Sequence, residues 1–322
     1  MALRTEVCDL LGIKYPILQG AFGGAGDPTF VAAVSEAGAL GVIGSGRRNP
    51  EWVLDRMREV KAATKKPFGV NIVIRRSDHP MYPTFLRMID FILAEKPALV
   101  ITGGGDPKPL IPTFKGAGIK IVPVIGASRH AQRAEQADVD MVIASGYEGG
   151  GHVGEVATMA LIPQVVDVVK IPVVATGGIG DGRGIVAALA LGAKGIQIGT
   201  RFACTVEAEC HANYKKAIVE ADDRATAVRG VPFGDATRVW NNKHGQELEA
   251  MEKNPNATRD DYFKFIMNKS QIGFFDGDPE DGRMLFGQIA GLVHDCPTVK
   301  ELMARLVAEA EAQLKRVGAM AD

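Results

Sequence analysis

The sequence predicts a (β/α)8 barrel with a helical C-terminal lid, and three observations carry that reading. Eight short runs rich in β-branched residues recur along the first two-thirds of the 322 residues, nearly all ending in glycine. Their starts lie about 20–30 residues apart, the room a strand, a helix and two loops require. The runs are apolar at consecutive positions, as parallel strands covered by helices on both faces are. A doubly wound open sheet is the alternative, and the count of eight favours the closed barrel.

The strands are read, in order, at Tyr15–Gly20, Gly41–Gly46, Phe68–Ile74, Ala98–Gly103, Lys120–Gly126, Met141–Gly146, Val173–Gly178 and Gly195–Thr200. Helical patterns fall between them at Phe30–Ala37, Trp52–Lys61, Pro109–Ala117 and Gly184–Leu191, the last stopped by Gly192. After Thr200 the rhythm changes. A helix over Glu207–Glu220 closes the eighth unit, and helices are expected near Asn242–Glu252, Arg259–Lys269, Met284–Val293 and Thr298–Leu314. The domain reading is a barrel over 1–222, a helical lid or insertion over 223–282, and C-terminal helices packing back over 283–322.

Composition narrows the function. Lys+Arg is 37 and Asp+Glu 38, a net charge of -1, which argues against a surface built to neutralise nucleic-acid phosphates. Aromatics are only 6%, which weakens base stacking as well. No apolar stretch approaches the ~18 residues of a membrane span. The start Met1-Ala2-Leu3-Arg4-Thr5-Glu6 does not read as a signal peptide. Cys8, Cys204, Cys210 and Cys296 are scattered, as reduced thiols of a cytoplasmic protein are. Cys204 and Cys210 lie near His211, but their spacing fits no familiar zinc pattern, so no metal is expected. Glycine stands out at 38 residues, about 12% against a usual ~7%. In so apolar a chain, those glycines belong at turns and close backbone approaches.

Barrel active sites lie where the strands end, so the residues there are the candidates. Strand seven runs into Thr176-Gly-Gly-Ile-Gly-Asp-Gly-Arg-Gly184, which opens a helix, and strand eight ends beside it in Gly199-Thr200. Glycine amides at a helix start suit an anion, and these two loops form the usual barrel phosphate site. Strand six runs into Ser145-Gly-Tyr-Glu-Gly-Gly-Gly-His152, placing a histidine in a glycine-rich loop at the same face. Such a histidine can give or take a proton near neutrality. No GxSxG, HExxH or P-loop is present, so a hydrolase triad has no support.

These motifs resemble the FMN-dependent nitronate monooxygenases (2-nitropropane dioxygenases), with their relatives the flavin-type enoyl-ACP reductases and NADH:quinone reductases. The resemblance rests on Tyr15–Gly20, Pro67–Asn71, Gly150-Gly-His152, Ala175–Gly184, Gly199–Phe202, Gly277–Gly282 and Gly287–Gly291. It implies that Gln19, Gly20, Ala21, Phe22 and Asn71 hold the isoalloxazine side of FMN, and that Gly177, Gly178, Gly199 and Thr200 hold its phosphate. Ser145, Gly150 and Gly151 would line the cavity, and His152 would face the substrate as the catalytic residue. NAD(P)H as co-substrate and a small-molecule or acyl-thioester substrate are implied too, and a homodimer is left open. Many nitronate monooxygenases follow the histidine with Arg-Gly, whereas Val153-Gly154 stands here. The run Gly154–Asp167 and Tyr214-Lys-Lys look more like the enoyl reductases, while Ala21-Phe22 replaces their usual Gly-Met. Arg129-His130 is similar to the quinone reductases. The first reading is therefore an NAD(P)H-dependent reductase of an enoyl thioester or quinone, and the second a nitronate monooxygenase using oxygen. Arg75, Arg76, Lys215 and Lys216 would attract a phosphorylated arm, unless they are solvated surface charge.

Overall fold

Strands from the first two hundred residues pair in parallel and close on themselves. The computed structural model describes residues 3–22, 26–46 and 48–320, so Met1 and Ala2 of the N-terminal reading lie outside the described residues. In chain order the strands are β1 (Ile17–Gln19), β2 (Gly41–Gly44), β3 (Phe68–Val73), β4 (Leu99–Gly103), β5 (Lys120–Ile125) and β6 (Val142–Ser145). They continue with β7 (Gly151–His152), β8 (Val173–Thr176), β9 (Gly195–Ile198), β10 (Thr226–Arg229) and β11 (Thr237–Trp240). The ladder runs β1-β9-β8-β6-β5-β4-β3-β2. A parallel bridge between Leu18 and Leu40 closes it, with Leu40 N–H donating to the Ile17 carbonyl and Gln19 N–H to the Leu40 carbonyl, both at 2.9 Å. That closure excludes the open sheet.

The two-residue strand period divides the apolar residues between two cores. Leu18, Val42, Leu99, Ile101, Val122, Ile143 and Val174 point inward and cluster together. Their neighbours Ile17, Ile43, Val100, Ile121, Val142, Val173 and Ile196 point outward, into the larger cluster beneath the helices. Val7, Cys8 and Leu11 of the helix Glu6–Leu11 join the inner cluster near Gly195, at the end where the strands begin. Helix starts are set by capping. Asp27 accepts from the N–H groups of Thr29 and Phe30, and Asn49 from that of Trp52, each just ahead of a proline at the first helical position. A capping box of Thr298 and Glu301 opens the last helix, Val299–Gly318.

The C-terminal third departs from an all-helical expectation in three places. First, residues 223–282 contain β10 and β11, which pair antiparallel, and β11 also pairs with β7 through Thr237 to His152 and Arg238 to Gly151. The alternating β-branched runs Thr226–Arg229 and Thr237–Trp240 make strands because each finds a partner edge. Second, the helix expected from Glu207 begins only at Ala212, where the His211 ring accepts from Asn213 N–H as the cap. Third, no helix covers Met284–Val293; only a 3-10 turn, Gln288–Leu292, forms there. The backbone has other partners. Met284 and Leu285 carbonyls accept from Trp240 N–H and the Tyr214 hydroxyl, while Gly287 and Gln288 N–H groups donate to the Thr200 hydroxyl and the Glu148 carbonyl.

The lid has a core of its own, formed by Phe233, Val239, Leu248, Tyr262 and Ile266. His244 is fully buried beside it, stacked on Phe265 with ring centroids 4.9 Å apart. Burial, with the charges of Arg283 and Lys269, pushes its imidazole down to about 4. The folded protein therefore holds His244 neutral, while the unfolded chain protonates it below about 6.5. Stability should fall with pH from about 6.5 to about 4 by about 3 kcal/mol through this group. Urea unfolding of His244→Phe, which keeps the ring stack, is expected to show a flatter profile across that window.

Candidate active site

The strand ends build a cavity of about 300 Å3 at the mouth of the barrel, within the range of ligand pockets. Strand period again decides what it holds. Asn71, Ile101, Val124, Ser145, Thr176 and Gln197 all stand on the inward face of their strands and all line it. Gly20, Ala21 and Phe22 follow β1, Glu148–His152 follow β6, Gly177–Ile179 follow β8, and Gly199–Thr200 follow β9. The extended stretch through Leu285, Gly287 and Ile289 supplies the outer wall.

Of the thirteen residues singled out by sequence, the structure brings twelve to this cavity: Gly20, Ala21, Phe22, Asn71, Ser145, Gly150, Gly151, His152, Gly177, Gly178, Gly199 and Thr200. Gln19 is apart from it. Its side chain is fully buried, accepts from Val42 N–H at 2.8 Å and donates to the Gly20 carbonyl, so it ties β1 to β2. The helix half of the anion argument is also corrected. The first N–H groups of the helix Gly182–Ala190 are taken, Gly182 by the Glu309 carboxylate at 3.0 Å and Arg183 and Gly184 by Asp181. A side chain at Gly182 would run into the backbone of Glu309 and Ala310, so this glycine serves packing against the last helix.

The loops differ from the helix start. Among the described residues, the N–H groups of Gly177, Gly178, Gly199 and Thr200 have no protein acceptor, and all four residues line the cavity. Gly177 has φ +92, and a Cβ there would lie 3.0 Å from the Gly146 carbonyl oxygen, so only glycine turns the chain here. A Cβ at Gly199 would meet no atom within 4 Å and would stand in the cradle itself. Unpaired amides suit a phosphate, and the inward amides of Asn71 and Gln197 suit the polar edge of a flavin ring. The residues present fit FMN. Gly199→Val should leave the fold intact and weaken FMN binding by about 30-fold or more, as loss of charge-assisted hydrogen bonds does. Fluorescence titration of apoprotein measures this, with melting temperature as the control.

His152 sits at the rim, its side chain 78% exposed, with Nε2 2.8 Å from Oδ1 of Asp235. β7 carries it, paired to β11 of the lid. A Cβ on the neighbouring Gly150 would lie 2.6 Å from Phe286 Cα, so the loop passes tightly under the outer wall. Burial favours the neutral Asp235 carboxyl, but hydrogen bonds from His152 and the Tyr262 hydroxyl, with the Arg283 charge, hold it well below the usual carboxylate range. Tyr262 donates to Oδ2 at 2.7 Å, and Arg283 Nη2 lies 3.2 Å away. An ionised carboxylate only accepts, so Nε2 of His152 carries hydrogen and Nδ1 is the ring nitrogen Asp235 leaves free. Two further groups brace the loop. The buried Arg238 guanidinium donates to the Tyr147 carbonyl at 2.9 Å, and the Glu148 carboxylate accepts from Thr158 N–H at 2.9 Å. Asp235, Tyr262, Arg283, Arg238 and Glu148 were not found by sequence reasoning, since polar residues in polar stretches give no periodic signal. Thr176 and Gln197 were findable from strand period alone.

Among the described residues no helix is long and apolar enough to cross a membrane, and no group of three or more metal-ligating side chains assembles. A family model described as nitronate monooxygenase matches residues 4–309. The (3aS,4S,5R,7aS)-5-hydroxy-7a-methyl-1-oxo-octahydro-1H-indene-4-carboxyl-CoA dehydrogenase of Rhodococcus jostii is 32% identical, across 99% of both chains. A probable nitronate monooxygenase of Staphylococcus aureus is 31% identical over 77% of this chain and 81% of its own. Among solved structures, FabK from Thermotoga maritima aligns with a TM-score of 0.92 at 39% identity, covering 98% of this chain and 99% of the other. Nitroalkane oxidase from Streptomyces ansochromogenes aligns with a TM-score of 0.80 at 25% identity, covering 96% and 99%.

Proposed function

Because the chain belongs to the nitronate monooxygenase family of oxidoreductases, we propose that it is an FMN-dependent reductase that uses NAD(P)H to saturate an electron-poor double bond in an acyl thioester. Bound FMN supplies reversible two-electron chemistry at its isoalloxazine ring. The loop amides of Gly177, Gly178, Gly199 and Thr200 hold its phosphate, and Asn71, Gln197 and the Gly20–Phe22 backbone orient its ring. The observation that carries the reading is the His152–Asp235 pair at the cavity rim. Saturating an enoyl thioester adds one hydride and one proton across the double bond. His152 Nδ1 is the atom that gives or orients that proton, with Nε2 held by Asp235 so that the ring presents the same nitrogen at each turnover. The wall through Leu285–Ile289 and the lid behind it limit water at the same face.

The thioester is favoured by two relatives matched over nearly their full lengths, one named for a carboxyl-CoA substrate and the other the FabK structure. A nitronate substrate is the second reading, favoured by the family model and by the S. aureus relative. Anaerobic mixing of the holoprotein separates them. NADH or NADPH should bleach the flavin rapidly, and a 2-enoyl-CoA or a quinone should restore its colour. If neither nucleotide bleaches it while propionate 3-nitronate does, the reductase reading fails and the nitronate reading replaces it.

A further inference from the structure

The cations put forward from sequence for a phosphorylated arm are mostly engaged. Arg76 pairs with Asp78 at 2.9 Å, Lys215 donates to the Thr205 carbonyl at 2.6 Å, and Lys216 lies 3.8 Å from Glu220. A different basic site lies on the opposite side of β5. A groove of about 540 Å3 runs between the Gly104–Lys108 loop with its following turn and the helix Ser128–Gln136, with Pro123 and Ile125 as its floor. Lys108, His130 and Arg133 line it. Among the described residues neither Lys108 nor Arg133 has a carboxylate within ion-pairing distance. Asp106 also lines the groove, but its Oδ1 caps the local turn by accepting from Lys108 N–H at 3.0 Å. Burial first, then the charges of Arg129 and Arg133, push the His130 imidazole down.

The groove adjoins the barrel mouth. Val124 borders both cavities, its side chain on the inward face of β5 and its neighbours Pro123 and Ile125 on the groove side. Gly103, Gly104 and Gly105, which end β4 and open the loop beside the groove, carry no side chains, and Val124 is the residue the two cavities share.

We propose that this groove binds the phosphorylated tail of the ligand whose reactive end enters the barrel mouth, with Lys108 and Arg133 pairing its phosphates. The proposal rests on the thioester reading for the identity of the reactive end. The shared chemistry is a phosphorylated nucleotide, and coenzyme A and the nicotinamide nucleotide are its two sources. Lysine and arginine without carboxylate partners supply point and bidentate contacts to phosphate. His130 of the same helix also lines the groove.

The test pairs kinetics with direct binding, using Lys108→Ala/Arg133→Ala in the holoprotein. A crotonyl-CoA substrate and its N-acetylcysteamine counterpart carry the same reactive end, but only the first has phosphates. The double variant is expected to raise KM for crotonyl-CoA about tenfold or more with kcat within about twofold, and to leave the N-acetylcysteamine ester unchanged, since only uniform binding is lost. A KM rise confined to NADH or NADPH, with both esters unchanged, supports the groove and assigns it to the donor. Equal changes for both esters, or no change for any phosphorylated ligand, overturn it. Calorimetry with adenosine 3′,5′-bisphosphate is independent of turnover. If wild type reduces neither ester but binds the bisphosphate and the double variant does not, the thioester reading fails and the groove stands. If wild type does not bind it and no KM responds, the groove falls.

Discussion

His152→Ala should lower kcat for an enoyl thioester by about 100- to 10,000-fold, the usual worth of a positioned general acid or base. Three features make the expectation specific. The side chain is 78% exposed, so its loss removes little packing. In the proposed reading the FMN contacts come from other loops, so the variant should bind the cofactor with an affinity within about twofold of wild type. Bleaching by NAD(P)H requires no proton at the substrate's carbon, so that half-reaction should stay near the wild-type rate. Stopped-flow of the two half-reactions separates these outcomes. Asp235→Asn should do less to kcat, because the ring remains, but it no longer faces an obligate acceptor that sets its tautomer. Its pH profile should shift, and the shift should vanish in the double variant with His152→Ala. Slowing of both half-reactions alike by His152→Ala would mean that the histidine shapes the cavity rather than serving the proton.

The barrel was legible because its signals are redundant. Each strand is apolar on both faces, nearly all end in glycine, they recur at a spacing that admits one helix, and Leu18 or Val174 would be inward in any register that keeps Ile17 or Val173 outward. That these glycine loops meet at the cavity was legible for a related reason, since two glycine runs end adjacent strands. What a glycine run is for was harder to read. Gly177 turns toward the cavity, while Gly182, in the same motif, makes room for a helix that Glu309 approaches from 127 residues away. The partner of His152 was hidden by the same distance. Asp235 is 83 residues from His152 and 48 from Arg283; the antiparallel pairing of β7 with β11 brings His152 beside it, and the Arg283 side chain reaches it from the C-terminal segment. Long-range polar networks leave no period in a sequence. Geometry alone reveals them.

Asp235→Ala carries the largest expected cost in stability, about 3–5 kcal/mol, the usual result of removing one partner from a buried ion pair. The residue left behind is Arg283, whose side chain is only 4% exposed and whose Nε already has no partner among the described residues. Tyr262, also buried, loses the acceptor of its hydroxyl at 2.7 Å, which adds to the same penalty. The pH dependence follows from the direction of the shift. The folded Asp235 carboxyl titrates below its ordinary value of 3.8, so its contribution is complete above that value and is lost as pH falls through the lower folded one. His244 acts in a different window, from about 6.5 to about 4. Wild type should therefore lose stability in two stages on acidification, the first removed by His244→Phe and the second by Asp235→Asn. Urea midpoints measured between about pH 7 and pH 2 resolve the two, because stability follows the difference in bound protons at each pH. An Asp235→Ala protein within about 1 kcal/mol of wild type at neutral pH would show that Arg283 finds water when the lid relaxes, and that the lid does not depend on the carboxylate beneath His152.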